Sequence, residues 1–223
     1  MLLLFMVVYP VIYIDDSGKE DASFISDGTS LTIRLRRFTF TGGSFESLSL
    51  KPPEEINSGG FSLDEYNCLT NCVFQVNIPI KLTCNSDILT AILNIEIVLE
   101  NTQHPKTRFF SLTVGNEIFD LQKGGESEMW FETQMIQLQR LLPQYMKIHT
   151  CIFCSYSNYW VAGNDSFGTL TCYKDIKNEI VTIKDKSSYM AVAENNGTAT
   201  QETFWCSEFT EIGKDQWQYK DQI

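Results

Sequence analysis

Phe74-Gln75-Val76-Asn77-Ile78-Pro79-Ile80-Lys81-Leu82 puts an apolar side chain at every second position and a polar residue or proline between. Side chains alternate across a strand, so a period of two buries one face and wets the other. Pro79 has no N–H to give a ladder, which predicts an edge strand or a local bulge at that point. Leu93, Ile95, Ile97 and Leu99 repeat the alternation. So do Phe110, Leu112 and Val114, after which Gly115-Asn116 reads as a two-residue hairpin turn into Ile118 to Leu121. Upstream, the apolar run Met1 to Val8 reads as a buried strand with Pro10 at its end or on an edge. Val11 to Ile14 continue as strand to a turn at Asp15-Asp16-Ser17-Gly18. Leu31, Ile33 and Leu35 then give way to Phe38 and Phe40, and this change of phase at Arg36-Arg37 predicts a β-bulge. Lys51 to Gly60 carry prolines and glycines without apolar period and read as an exposed loop. The class that follows is mainly β (α+β), with an antiparallel β-sandwich or open barrel over residues 1–125.

One stretch has a helical period instead. Phe131, Met135, Leu138 and Leu142 recur at spacings of four, three and four, with Trp130 and Leu141 beside the stripe and Glu132, Gln137 and Gln139 away from it. Ser127 is the expected N-cap and Pro143 the stop, so residues 126–146 form a packing helix and its connection. Residues 147–212 carry short strands around the cysteines, with Lys184 to Glu194 as a helix or loop. Residues 213–223 read as a polar tail that frays, unless Trp217 and Tyr219 tuck in.

Within 147–212, Cys151-Ile152-Phe153-Cys154 is followed by Cys172 and Cys206. A Cys-x-x-Cys turn sets two sulfurs on one side of a tight knuckle, and a structural Zn²⁺ takes four soft ligands at tetrahedral corners. Cys151, Cys154, Cys172 and Cys206 are therefore the expected ligands. Two further readings stand beside this one. Cysteine is also a small buried hydrophobe, and Cys-x-x-Cys is also a redox motif. The redox form opens a helix beside a βαβ unit, whereas Ile148 to Phe153 reads here as strand.

Composition narrows the function. Lys and Arg number 17 against 28 Asp and Glu, a net charge of −11, which disfavours direct binding of nucleic acid. An acidic surface suits a basic protein partner instead, such as a toxin or enzyme with a basic cleft. Hydrophobic residues make up 43% of the chain, enough for a packed core. The N-terminal apolar run lacks a basic lead and a cleavage site and falls short of the roughly 20 residues a membrane span needs. Seven cysteines in no disulfide-like spacing point to the cytoplasm. His104 and His149 are the only histidines, His149 lying two before Cys151 as a substitute ligand, a hydrogen-bond donor to a ligand or a strand residue. Asp15, Asp16, Glu20 and Asp21 cluster without an EF-hand pattern and read as a solvated turn. No nucleophile elbow, phosphate loop, zinc-protease helix or dinucleotide fingerprint is present.

Phe131-Glu132, Leu138-Gln139 and Leu141-Leu142-Pro143, then the Cys-x-x-Cys with Tyr156-Ser157-Asn158-Tyr159, Phe167-Gly168 and Cys172-Tyr173, form a recognisable series. With Gln201-Glu202-Thr203-Phe204, Cys206 and Glu208-Phe209, and earlier Phe40-Thr41-Gly42-Gly43-Ser44-Phe45-Glu46, it resembles an uncharacterised bacterial domain family of unknown function. Asn158 stands where members carry aspartate, and Tyr159 to Ala162 replace a proline-bearing loop. The resemblance implies a metal knuckle throughout the family and supplies no activity.

The leading expectation is a bacterial non-enzymatic interaction protein with a structural zinc, in its specific form an immunity protein that neutralises a toxin. One alternative is a zinc-dependent hydrolase using three cysteines, a water and Glu202 or Glu208. The other is a metal-free sandwich that binds carbohydrate or peptide through Tyr156, Tyr159 and Trp160.

Overall fold

The computed structural model describes residues 6–51, 60–100, 106–121, 130–160, 167–194 and 196–220. His104, Ser127 and most of the 51–60 loop lie outside them. The chain divides into two compact units, Met1–Pro79 with Ala91–Met129 and Ile80–Thr90 with Trp130–Ile223.

The first unit is built on strands β1 (Val7–Asp15), β2 (Gly18–Ser26), β3 (Leu31–Leu35), β4 (Phe38–Gly42), β5 (Ser49–Leu50), β6 (Ser62–Leu63) and β7 (Leu69–Thr70), and on parts of β8 (Cys72–Cys84) and β9 (Asp87–Leu99). It is completed by β10 (Lys106–Val114) and β11 (Glu117–Asp120). The main sheet runs β11-β10-β9-β8-β1-β2-β3-β4-β5, and β6 and β7 pair separately. The chain is mainly β and its sheets are antiparallel. Among the described residues the end strands β5 and β11 do not pair, so the sheet does not close into a barrel.

The period of two works as expected. Phe74, Val76, Ile78, Leu93, Ile95, Phe110 and Leu112 are all buried. Phe74 meets Phe24 at 5.2 Å and Tyr13 at 5.5 Å, ring to ring, which fixes where the core of this unit sits.

Both prolines are tolerated because the ladder has gaps. β8 pairs with β1 through Val73 to Val76 and with β12 (Met146–Ile148) through Leu82 to Cys84, and Pro79 falls between. Pro10 lies just outside Val11 to Ile14, the part of β1 that β8 covers, and β1 runs through it rather than stopping.

Arg36-Arg37 is a turn and not a bulge. Leu35 sits directly opposite Phe38, and Arg36 has φ +54°, so β3 and β4 form a two-residue hairpin. Directly opposed residues share a face, so the apolar phase passes from Leu35 to Phe38 without an extra residue. The acidic cluster is partly neutralised there, because Asp15 accepts from the Arg36 guanidinium at 2.6 Å and Glu20 from the Arg36 N–H at 2.7 Å.

In the second unit α1 (Phe131–Leu141) buries Phe131, Met135 and Leu138, the expected stripe. Glu132 departs from expectation. It is 5% exposed, on the inner side of the helix rather than away from the stripe. Gln139 ties the helix to β12, accepting the Ile148 N–H at 2.7 Å and donating to the Met146 carbonyl at 3.1 Å. Strands β13 (Ser157–Asn158), β14 (Leu170–Cys172) and β15 (Thr198–Thr200) form a small sheet. Helices α2 (Lys177–Ile180) and α3 (Lys186–Ala193) lie between β14 and β15 in sequence. Asp185 caps α3 in a capping box with Ser188. Residues 213–220 do not fray as the polar composition suggested, since Trp217 and Tyr219 pack against Tyr173, Ile180, Ile183 and Tyr189.

Candidate metal centre

After Ile148 the chain stops being a strand, contrary to the reading of Ile148 to Phe153. Cys151–Phe153 form a turn of 3-10 helix, closed by the Cys154 N–H on the Cys151 carbonyl at 3.1 Å. The neighbouring donors also point out of a ladder: the Cys151 N–H goes to the Phe204 carbonyl at 2.6 Å and the Ile152 N–H to the Glu202 carbonyl at 3.1 Å. The Ser157 hydroxyl donates to the carbonyls of both Cys151 and Cys154. The knuckle is thus fixed by its own backbone and by the 202–204 segment.

Those same contacts gather the cysteines. Cys172 ends β14 opposite Ser157, three residues beyond Cys154. Cys206 follows the Phe204 carbonyl that holds Cys151, and its own carbonyl accepts the Phe209 N–H at 3.3 Å. The Lys174 N–H donates to the Cys172 sulfur, and the Thr200 hydroxyl lies 3.9 Å from the Cys151 sulfur as donor. Burial first, then the neighbouring Cys172, Cys154 and Cys206, pushes the Cys151 thiol well above its ordinary range. Cys172 is also raised, by burial and by Cys154 and Cys206, against the opposing Lys174 N–H. All four are free thiols, and Cys151 and Cys172 each lie within electrostatic reach of the other three.

Among the described residues, no set of three or more His, Cys, Asp or Glu side chains is arranged so that it could hold a metal ion as it stands. The donor chemistry nevertheless suits one. Four sulfurs from three chain segments, one of them already receiving a backbone N–H, are the soft set that Zn²⁺ prefers.

Several neighbours carry no sequence signal for a role here. Lys220 donates to the Ile152 carbonyl at 2.8 Å, the Ser157 hydroxyl at 2.9 Å and the Cys154 carbonyl at 3.3 Å. Burial lowers this ammonium to about 8, against the pull of Cys154, Glu132, Cys151 and Glu202. Only Trp217 and Tyr219 beside it hinted that the tail packs. Glu202 is fully buried and accepts the Gly168 N–H at 2.6 Å and the Thr169 N–H at 3.3 Å. Burial raises its carboxyl to about 7, and these two N–H groups restrain the rise.

His149 stacks on Phe209 at 3.9 Å between ring centres and shares a hydrogen bond with Thr83 at 3.1 Å. Burial lowers its pKa. Tyr159 is core, packed with Cys151 and Leu170, whereas Trp160 is exposed, so the three aromatics do not form one surface.

These features define a β-rich protein with a hydrogen-bonded cysteine knuckle set against a buried polar cluster. The chain belongs to a family of unknown function, DUF6304, whose model matches residues 7–157. That span takes in the antiparallel sheet, α1 and the Cys-x-x-Cys turn, and ends before Cys172. No curated protein and no solved structure matches the chain.

Proposed function

We propose that this is a non-enzymatic bacterial interaction protein whose second unit is stapled by one structural Zn²⁺ on Cys151, Cys154, Cys172 and Cys206. The observation that carries the reading is that Cys151, on a backbone-closed turn, and Cys172 each lie within electrostatic reach of the other three free thiols. When bound, the ion supplies cross-linking of three segments distant in sequence, and therefore folding energy. The residues around it position the sulfurs: Ser157 and Lys220 hold the carbonyls of the turn, and the Lys174 N–H holds the Cys172 sulfur.

The chemistry around the knuckle favours this over hydrolysis. A general base must be free to take a proton from water. Glu202 gives its oxygens to Gly168 and Thr169, and Glu208 is ion-paired with Lys177 on the surface.

A net charge of −11 suits a basic protein partner in the cytoplasm, and in its specific form the protein is an immunity protein that neutralises a toxin. The test is coexpression with basic toxins, any encoded beside its own gene taken first. Rescue of growth and a stable complex in gel filtration are expected. Unrelieved toxicity without a complex contradicts the immunity role.

A further inference from the structure

On the outward face of the first unit, β8 to β11 line an open groove of about 540 Å³. It lies within the size range of small-ligand sites. A bulge in β10 between Thr107 and Phe109 bends the strand at one end of it.

The lining is organised rather than merely polar. Gln75 donates its amide N–H to Glu96 at 2.7 Å, and Asn94 donates to the Thr113 hydroxyl at 2.9 Å and the Ile92 carbonyl at 3.2 Å. Both Asn94 N–H groups are engaged within the wall and Gln75 keeps one, so the amide oxygens of Gln75 and Asn94, with the Glu96 carboxylate, form an acceptor array beside a single amide donor. Phe109 and Ile118 flank that array and are 38% and 67% exposed. Arg108 is 3.9 Å from Glu96 and balances its charge.

Acceptors in a row call for a ligand with several hydroxyl donors. An exposed ring calls for a ligand with an apolar C–H face. A carboxylate in the wall and a chain of net charge −11 disfavour an anion.

We propose that this groove binds a short neutral saccharide, its hydroxyls donating to Gln75, Asn94 and Glu96 and one sugar face packed on Phe109. The site is remote in sequence from the cysteine knuckle and does not depend on the metal.

The test uses the full chain with neutral malto-, cello-, xylo- and chito-oligosaccharides, followed by saturation-transfer NMR and titration calorimetry. At least one probe is expected to bind with a Kd of roughly millimolar or tighter, and Phe109→Ala or Asn94→Ala to weaken it about tenfold or more. Ile118→Ser, at an exposed position, provides a variant that keeps the fold. No binding across the panel, binding unchanged in all three variants, or preferential binding of anionic sugars or of peptides overturns the proposal.

Discussion

The Glu202 carboxylate accepts the Gly168 N–H at 2.6 Å, which ties the turn after Phe167 to the segment leading into Cys206. A fully buried carboxylate in that position makes stability depend on pH. Its carboxyl is raised from 4.5 to about 7 in the folded chain. Between those values the folded state keeps the proton and the unfolded state releases it. Stability from this group is therefore present below about pH 4.5 and is lost as pH rises through about 7. Chemical denaturation of wild type and Glu202→Gln across this range should show the decline only in wild type, on the order of 3 kcal/mol. A parallel decline in both places the effect elsewhere.

Lys220 provides a second probe of the knuckle. Lys220→Met keeps the stem and removes the donor to the Ile152 and Cys154 carbonyls. The expected cost is roughly 1–3 kcal/mol, the price of leaving buried acceptors unmade. Faster reaction of metal-free protein with a thiol reagent should accompany it, and unchanged denaturation midpoints would show the contacts to be idle.

Gln139 bridges α1 and β12 with both ends of its amide. Gln139→Ala should cost about 1–3 kcal/mol. Urea melts of the variant beside wild type check this, and an unchanged midpoint would contradict it.

Gly42 and Gly43 are adjacent but not equivalent. A Cβ on Gly42 would lie 2.3 Å from the Ser47 carbonyl oxygen, while one on Gly43 meets nothing nearer than 4.0 Å. Gly42→Ala is expected to lose about 1–3 kcal/mol and Gly43→Ala close to nothing in thermal denaturation. Equal losses would contradict the close approach.

Strand alternation made the sheet legible, because Phe74, Val76 and Ile78 bury one face whatever lies beyond it. The Arg36 turn was misread because a two-residue hairpin and a bulge both shift the apolar phase by one. Glu132 was misplaced because periodicity assumes that a buried face is apolar, and here it lies within electrostatic reach of the buried Lys220 ammonium. The Cys-x-x-Cys turn was visible in its spacing. The hydroxyl, carbonyl and ammonium that hold it come from Ser157, Phe204 and Lys220, and the last two act through long-range contacts that no local pattern encodes.

Native mass spectrometry of protein purified without added metal, repeated for Cys151→Ser and Cys206→Ser, tests the central claim most directly. One zinc per chain, lost in both variants together with the fold of the second unit, is the predicted result. A folded wild-type chain that carries no zinc would contradict it and leave the four thiols as core residues.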